Sequence, residues 1–130
     1  MAPRLQGKIA LIVGAGCVGP GWGNGRAACV LFAQEGAKIS AVDRDMGPME
    51  ETVARVKEAG GEIATHLCDV TQSSSVKAMV EACQAHYGRI DVLVNNVGGS
   101  AAGGPVEMSE EVWDLQIDTN LKSVLLMLKH

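Results

Sequence analysis

The chemistry this chain can do is announced by glycines and by two strand-end carboxylates. An apolar run, Lys8-Ile-Ala-Leu-Ile-Val13, enters Gly14-Ala-Gly-Cys-Val-Gly-Pro-Gly-Trp-Gly-Asn-Gly25, and a helical stretch follows. Glycines at such a turn let the backbone approach a pyrophosphate, whose charge is held by free amides at the helix start. Asp43 closes the next apolar run, 18 residues beyond Gly25. A dinucleotide fingerprint expects an acid roughly 20 residues on, where it accepts the hydroxyls of an adenosine ribose. The expected ligand is therefore a dinucleotide, with NAD leading.

Two literal patterns overlap in the loop. Gly14, Gly16 and Gly19 match GxGxxG, yet Pro20 and Gly21 follow where a helix should already run. Gly19, Gly23 and Gly25 match GxxxGxG, yet Gly19 does not abut the strand. The reading that reconciles them uses Gly14 for the strand exit, Gly23 and Gly25 for the helix entry, and the residues between as an enlarged phosphate loop. A bare glycine motif is weak, because any tight turn needs glycine; the flanking strand, the helix and Asp43 give it force. No Lys-Ser/Thr pair follows the glycines, which excludes a nucleoside-triphosphate P-loop. An acid at position 43 repels a 2′-phosphate and favours NAD over NADP, a preference that the neighbouring Arg44 weakens. Asp69 either caps a helix or lies beside the adenine. Cys17 is either an acidified thiol in an electropositive loop or a small residue that fits. Trp22 is expected to pack the loop down.

Those residues need a scaffold, and the hydrophobic pattern supplies one. Candidate strands are Lys8–Val13, Lys38–Val42, Glu62–Leu67 and Ile90–Asn95, short and apolar enough for burial on both faces. The first helix is expected from Asn24, as N-cap, to just before Gly36. The second runs from about Met46 to Ala59, capped by Asp45, with Met49, Val53 and Val56 on one stripe. The third follows Thr71 and turns Val76, Met79, Val80 and Cys83 to the sheet. The fourth follows Ser109, carries Glu110 and Glu111 in its first turn, and presents Trp113, Ile117, Leu121, Val124 and Leu128. Strict alternation implies right-handed crossovers and a doubly wound parallel α/β sheet of Rossmann-like type, ordered 3-2-1-4. In that order the glycines, Asp43, Asp69 and Asn95-Asn96-Val97-Gly98 all rim one sheet edge, where ligands of such sheets bind.

Bulk properties narrow the classes. The chain has 130 residues, 47% of them apolar and 20% charged, as one soluble globular domain would. A net charge of -4 gives no basic footprint for nucleic acid or anionic lipid. Cys17, Cys29, Cys68 and Cys83 lie far apart without a CxxC pair, and the three histidines are isolated, so no metal site is expected. The apolar run after Arg4 and Lys8 is too short for a secretory signal, and nothing approaches transmembrane length. A cytoplasmic location is expected.

Taken together these segments resemble the short-chain dehydrogenase/reductase family across essentially the whole chain. The resemblance rests on the glycine loop with Arg26-Ala27, Val42-Asp43-Arg44, Cys68-Asp69-Val70, Asp91-Val-Leu-Val-Asn95-Asn-Val-Gly98 and Asp118-Thr-Asn120-Leu-Lys122. It implies that Gly14, Gly23, Asn24, Gly25, Asp43, Arg44, Asp69, Val70, Asn96 and Gly98 contact the cofactor, with Asp69 and Val70 flanking the adenine and Asn96 beside the ribose. By the same resemblance Asn95 steadies the sheet, and Asn120 supports a proton-relay water.

The sequence departs from the family pattern in three ways. Gly14 and Gly23 stand nine positions apart where four are usual, and Val97 replaces an alanine. The chain also stops at His130, before the fifth strand after which the family carries its serine, tyrosine and lysine. Tyr87, the single tyrosine, precedes strand 4 and falls at the wrong end of the sheet. The expectation is thus the NAD-binding N-terminal part of an oxidoreductase acting on a hydroxyl or carbonyl substrate, with Asn120 the only catalytic-set residue present. One alternative is a non-catalytic NAD-binding module. Another is an S-adenosylmethionine-dependent methyltransferase, which would usually place an acid where Leu-Ile-Val precedes the glycines and would lack the double asparagine. An open strand 4 edge and an uncovered last helix predict self-association.

Overall fold

A computed structural model describes residues 2–130. Four strands, β1 (Ile9–Val13), β2 (Lys38–Asp43), β3 (Glu62–Leu67) and β4 (Val92–Asn95), form one parallel sheet in the order β3-β2-β1-β4. The helices are α1 (Asn24–Gln34), α2 (Gly47–Glu58), α3 (Ser73–Tyr87), α4 (Glu110–Ile117) and α5 (Ser123–Lys129). The topology is the doubly wound one that the alternation of periods predicts. β4 starts two residues later than expected, because Asp91 spends its carboxylate on the Ile9 amide at 2.8 Å.

β1 is the spine of the molecule. Its five residues are all buried, and Ala10 to Val13 alternate between two cores. Ala10 and Ile12 pack with Cys29, Val30 and Ala33 of α1 and Met49 and Val56 of α2. Leu11 and Val13 pack on the other side with Val76, Met79, Val80 and Cys83 of α3 and Leu126 and Met127 of α5. Burial on both faces is why the strand is uniformly apolar rather than alternating.

Three local expectations need correction. Gly23, in extended backbone, is the N-cap of α1, and Asn24 is already helical. Met46 is the N-cap of α2, while Asp45 pairs with Arg44 at 3.5 Å instead of capping. On α2 the third buried residue is Thr52 rather than Val53, for a reason that lies in the site below.

The last helical region is also not one continuous helix. Ser109 caps it as expected, accepting from the Val112 amide at 3.2 Å. A π-helical turn, Asp118–Lys122, then divides α4 from α5. The wider turn shifts the helical phase, so that Ser123, Leu126 and Met127 face the core. The stripe expected from an unbroken helix instead leaves Trp113, Leu121 and Leu128 58, 64 and 71% exposed. No helix among the described residues is long and apolar enough to cross a membrane.

The two-core arrangement makes a stability prediction. Leu11→Ala, at a position 1% exposed, should destabilise the fold by about 3 kcal/mol in urea unfolding. Leu128→Ala, on the exposed face, should cost less than about 0.5 kcal/mol.

Candidate functional site: a glycine crevice at the strand tips

The crevice is built by a close approach of three backbone segments. Gly14 leaves β1 with φ +87°, a left-handed conformation that favours glycine. Its amide, with that of Ala15, donates to the Val42 carbonyl at the tip of β2 (2.8 and 3.0 Å). From the other side the Asn96 side-chain amide donates to the Gly14 carbonyl at 3.2 Å, and the Asn96 backbone amide donates to Val13 at 2.9 Å. Gly25, in the first turn of α1, presses onto the same carbonyl. A Cβ at position 25 would lie 1.8 Å from the Gly14 oxygen and 2.9 Å from the Asn96 amide nitrogen. Nothing but glycine fits there, and β1, α1 and β4 meet at this point.

Asp43 lies at the tip of β2 beside the glycine loop. Its Oδ2 accepts from the Gly16 amide at 3.0 Å and its Oδ1 from the Arg44 amide at 2.7 Å. The strand-tip carboxylate therefore touches the glycine loop directly. Gly16 is crowded too, though less than Gly25: a Cβ would lie 2.6 Å from Pro48 Cβ and 2.9 Å from Asp43 Oδ2. Its role was hidden in the sequence by its membership of a pattern that the helix does not follow.

Charge at the helix entrance is left for an incoming group. α1 has no side-chain cap and no acidic residue in its first turn. Its leading amides point from an N-terminus that favours an anion. A Cβ on Gly19 or Gly21 would meet no atom within 4 Å, so these parts of the loop border open space. The leading amides of α1 and the strand-tip carboxylate of Asp43 suit a nucleoside diphosphate moiety: amides for the phosphates, an acceptor for ribose hydroxyls.

The other predicted residues take up the following positions. Asp69 is exposed; its Oδ1 accepts from the Thr71 amide (3.0 Å) and hydroxyl (2.6 Å), fixing the turn into α3. Those bonds hold its carboxyl below the usual range. The Val70 side chain is buried in the core with α3. Arg44 is exposed beside Asp43. Gly98 and Gly99 run past Asn120, whose Oδ1 accepts from the Gly99 amide at 2.9 Å and whose Nδ2 donates to the Gln116 carbonyl at 2.9 Å. Asn120 thus ties the β4 exit to the π-helical turn. Asn95 ends β4 opposite Val13 with an exposed side chain.

Tyr87 lies away from these residues. Its hydroxyl donates to Ile39, near the N-terminal end of β2, at 3.4 Å, and burial pushes its phenol up to about 12. Burial likewise pushes the Cys29 thiol up to about 12, and Cys68 and Cys83 are raised for the same reason; all three are core side chains. No group of three or more metal-ligating side chains occurs among the described residues. An apolar cleft of about 470 Å³, lined by Gly103, Pro105, Met108 and Trp113, shares no residue with the glycine crevice.

Comparison with known proteins accords with this geometry. The model of the short chain dehydrogenase family matches residues 8–130, and the chain belongs to that oxidoreductase family, which binds NAD(P) cofactors. It is 40% identical over 121 residues to a 3-oxoacyl-acyl-carrier-protein reductase of Thermotoga maritima, covering 93% of this chain and 47% of that protein. It is 37% identical over 127 residues to D-threitol dehydrogenase of Mycolicibacterium smegmatis, covering 95% and 46%. The chain spans about half the length of the curated relatives it matches. Among solved structures, a candidate short-chain dehydrogenase/reductase from Burkholderia xenovorans is 54% identical with a TM-score of 0.96, over 98% of this chain and 51% of that one. An NAD+-bound xylitol dehydrogenase is 31% identical with a TM-score of 0.87, over 97% and 47%.

The contact at Gly25 can be tested alone. Gly25→Ala must push α1 off the Gly14 carbonyl, so it should destabilise the fold by about 3 kcal/mol or more in thermal unfolding. An unchanged melting temperature would contradict the close approach.

Proposed function

We propose that this chain binds NAD at the glycine crevice and forms the cofactor-holding part of an oxidoreductase acting on a hydroxyl or carbonyl compound. The observation that carries the reading is the contact of Asp43 with Gly16, which sets a ribose acceptor beside the phosphate loop. In this reading the pyrophosphate is held by the first-turn amides of α1 and by the loop amides that Val42, Asp43 and Glu51 do not already engage. Asp43 accepts from the adenosine ribose, and Asp69 and Val70 border the adenine. Asn96 and Gly98 line the path toward the nicotinamide. When bound, the nicotinamide supplies a site for hydride exchange with carbon.

Asn120, braced on Gly99 and Gln116, is given the role of supporting a water for proton transfer. The carboxylate at position 43 disfavours a 2′-phosphate, so NAD is the assigned cofactor in preference to NADP. Tyr87, bonded to Ile39 near the N-terminal end of β2, is given no part in proton transfer. A cytoplasmic setting and a small-molecule substrate complete the reading.

Calorimetric titration tests the cofactor assignment. Wild-type chain should bind NAD more tightly than NADP, and Asp43→Ala should lower NAD affinity by about tenfold or more while affecting NADP less. Equal affinity for the two cofactors in the wild type would reject the role given to Asp43.

We further propose self-association through β4 and the α4–α5 face. β4 pairs with β1 alone among the described residues, and the exposed Leu121, Leu125 and Leu128 line one apolar surface of the last helical region. Unpaired strand edges and contiguous apolar patches both favour covering by another chain. Sedimentation should find a dimer or larger species that Leu121→Glu and Leu125→Glu together dissociate. A wild-type monomer would reject this surface as a contact.

A further inference from the structure

We infer that Glu51, acting through Arg26, is a positioning residue that clamps the enlarged phosphate loop to α2 in its pyrophosphate-binding shape. The inference rests on the NAD-binding reading above and deepens it, because it assigns the loop's shape to residues that need not touch the ligand.

Arg26 is the buried cation next to the phosphate loop, 1% exposed at the start of α1. A basic side chain so placed suggests a phosphate ligand, but its donors are committed elsewhere. Nε donates to Thr52 Oγ1 at 2.9 Å and Nη2 to the Pro48 carbonyl at 2.8 Å. Nη1 donates to the carbonyls of Gly21 (2.5 Å) and Gly19 (3.4 Å) and forms an ion pair with the Glu51 carboxylate. Every one of those acceptors belongs to the loop or to α2. The guanidinium thus grips the loop and ties it to that helix.

Glu51 completes the grip. Its Oε2 accepts from the Gly21 amide at 3.2 Å, so both backbone groups of Gly21 are held, one by Glu51 and one by Arg26. Its Oε1 accepts from Arg55 Nη2 at 3.0 Å, and the Arg55 guanidinium lies 4.3 Å from the centroid of the Trp22 ring. The other end of the loop is fastened by Thr52, whose hydroxyl donates to the Ala15 carbonyl at 2.8 Å. Residues 48, 51, 52 and 55 fall at i, i+3, i+4 and i+7, so one face of α2 serves as the template for the loop. This is why Thr52 is buried where an apolar residue was expected.

The physical need follows from the length of the loop. Glycine-rich segments lose more backbone entropy on ordering than any others. If the loop were free, a bound pyrophosphate would have to order it, and affinity would fall accordingly. Charge-assisted bonds between a buried guanidinium and a carboxylate are strong enough to order it beforehand.

The test compares ADP, which needs the loop, with adenosine, which needs only the ribose and adenine contacts. ADP affinity is measured by calorimetry and adenosine affinity by saturation-transfer NMR, on wild type, Glu51→Gln and Trp22→Ala. Trp22 is 57% exposed, so its removal leaves the core intact. Both variants should lose about tenfold or more in ADP affinity with adenosine affinity unchanged. The clamp is overturned if wild type binds ADP and either folded variant keeps the wild-type ratio of the two affinities. If wild type itself binds no ADP, the nucleotide-binding reading fails, and the clamp with it.

Discussion

One contact organises this molecule: the start of α1 lies so close to the end of β1 that Gly25 touches the Gly14 carbonyl. The approach aims the helix N-terminus across the tips of the strands, where its unbonded amides meet whatever enters the crevice. It also explains the glycines at both ends of the loop, since a side chain at 25 has no space and position 14 takes a left-handed backbone. Asn96 depends on the same point, because its amide reaches that carbonyl only while α1 and β1 stay together. The glycine-lined edge is therefore a product of backbone packing, with side chains added as braces.

The sheet provides the rigidity this requires. β1 is fully buried between two cores, so its exit is fixed from both faces. Asp43 projects from the adjacent strand and is fastened to the loop through Gly16. On the far side of the loop, the buried Arg26 and its partners on α2 provide a polar counterpart to the apolar core. A buried cation is costly unless its donors are satisfied. Here they are satisfied by the very loop whose conformation matters, so folding and preorganisation share one set of bonds.

Much of this was legible in the sequence, for identifiable reasons. Strand order, the convergence of four strand tips and the pairing of glycines with Asp43 follow from periodicity and handedness rules that act over short distances. The Ser109 cap was readable because hydroxyl caps work within one turn. The cap of α1 was misplaced by one residue because Gly23 adopts the extended cap conformation and leaves Asn24 to the helix. The π-helical turn was invisible, since nothing in Asp118-Thr-Asn-Leu-Lys122 distinguishes it from ordinary helix, and it rotates the apolar stripe away from the core. The Arg26 network is not legible in the sequence because its ties to α2 join residues 22 to 26 apart, with no local periodicity to mark them. A signal existed: Arg26 heads the stripe of Cys29, Val30 and Ala33, and a charge on a buried stripe requires a partner.

The central claim is that the crevice between Gly14, Gly25 and Asp43 receives the adenosine diphosphate part of a dinucleotide. Amide chemical-shift mapping tests it most directly: a nitrogen-15-labelled chain titrated with NAD. Binding in the crevice should produce saturable shifts confined to the loop from Gly14 to Arg26, the Asp43–Arg44 tip, Asp69 and Asn96–Gly99. Shifts absent from those amides, or gathered instead at the Gly103–Trp113 cleft, would contradict it.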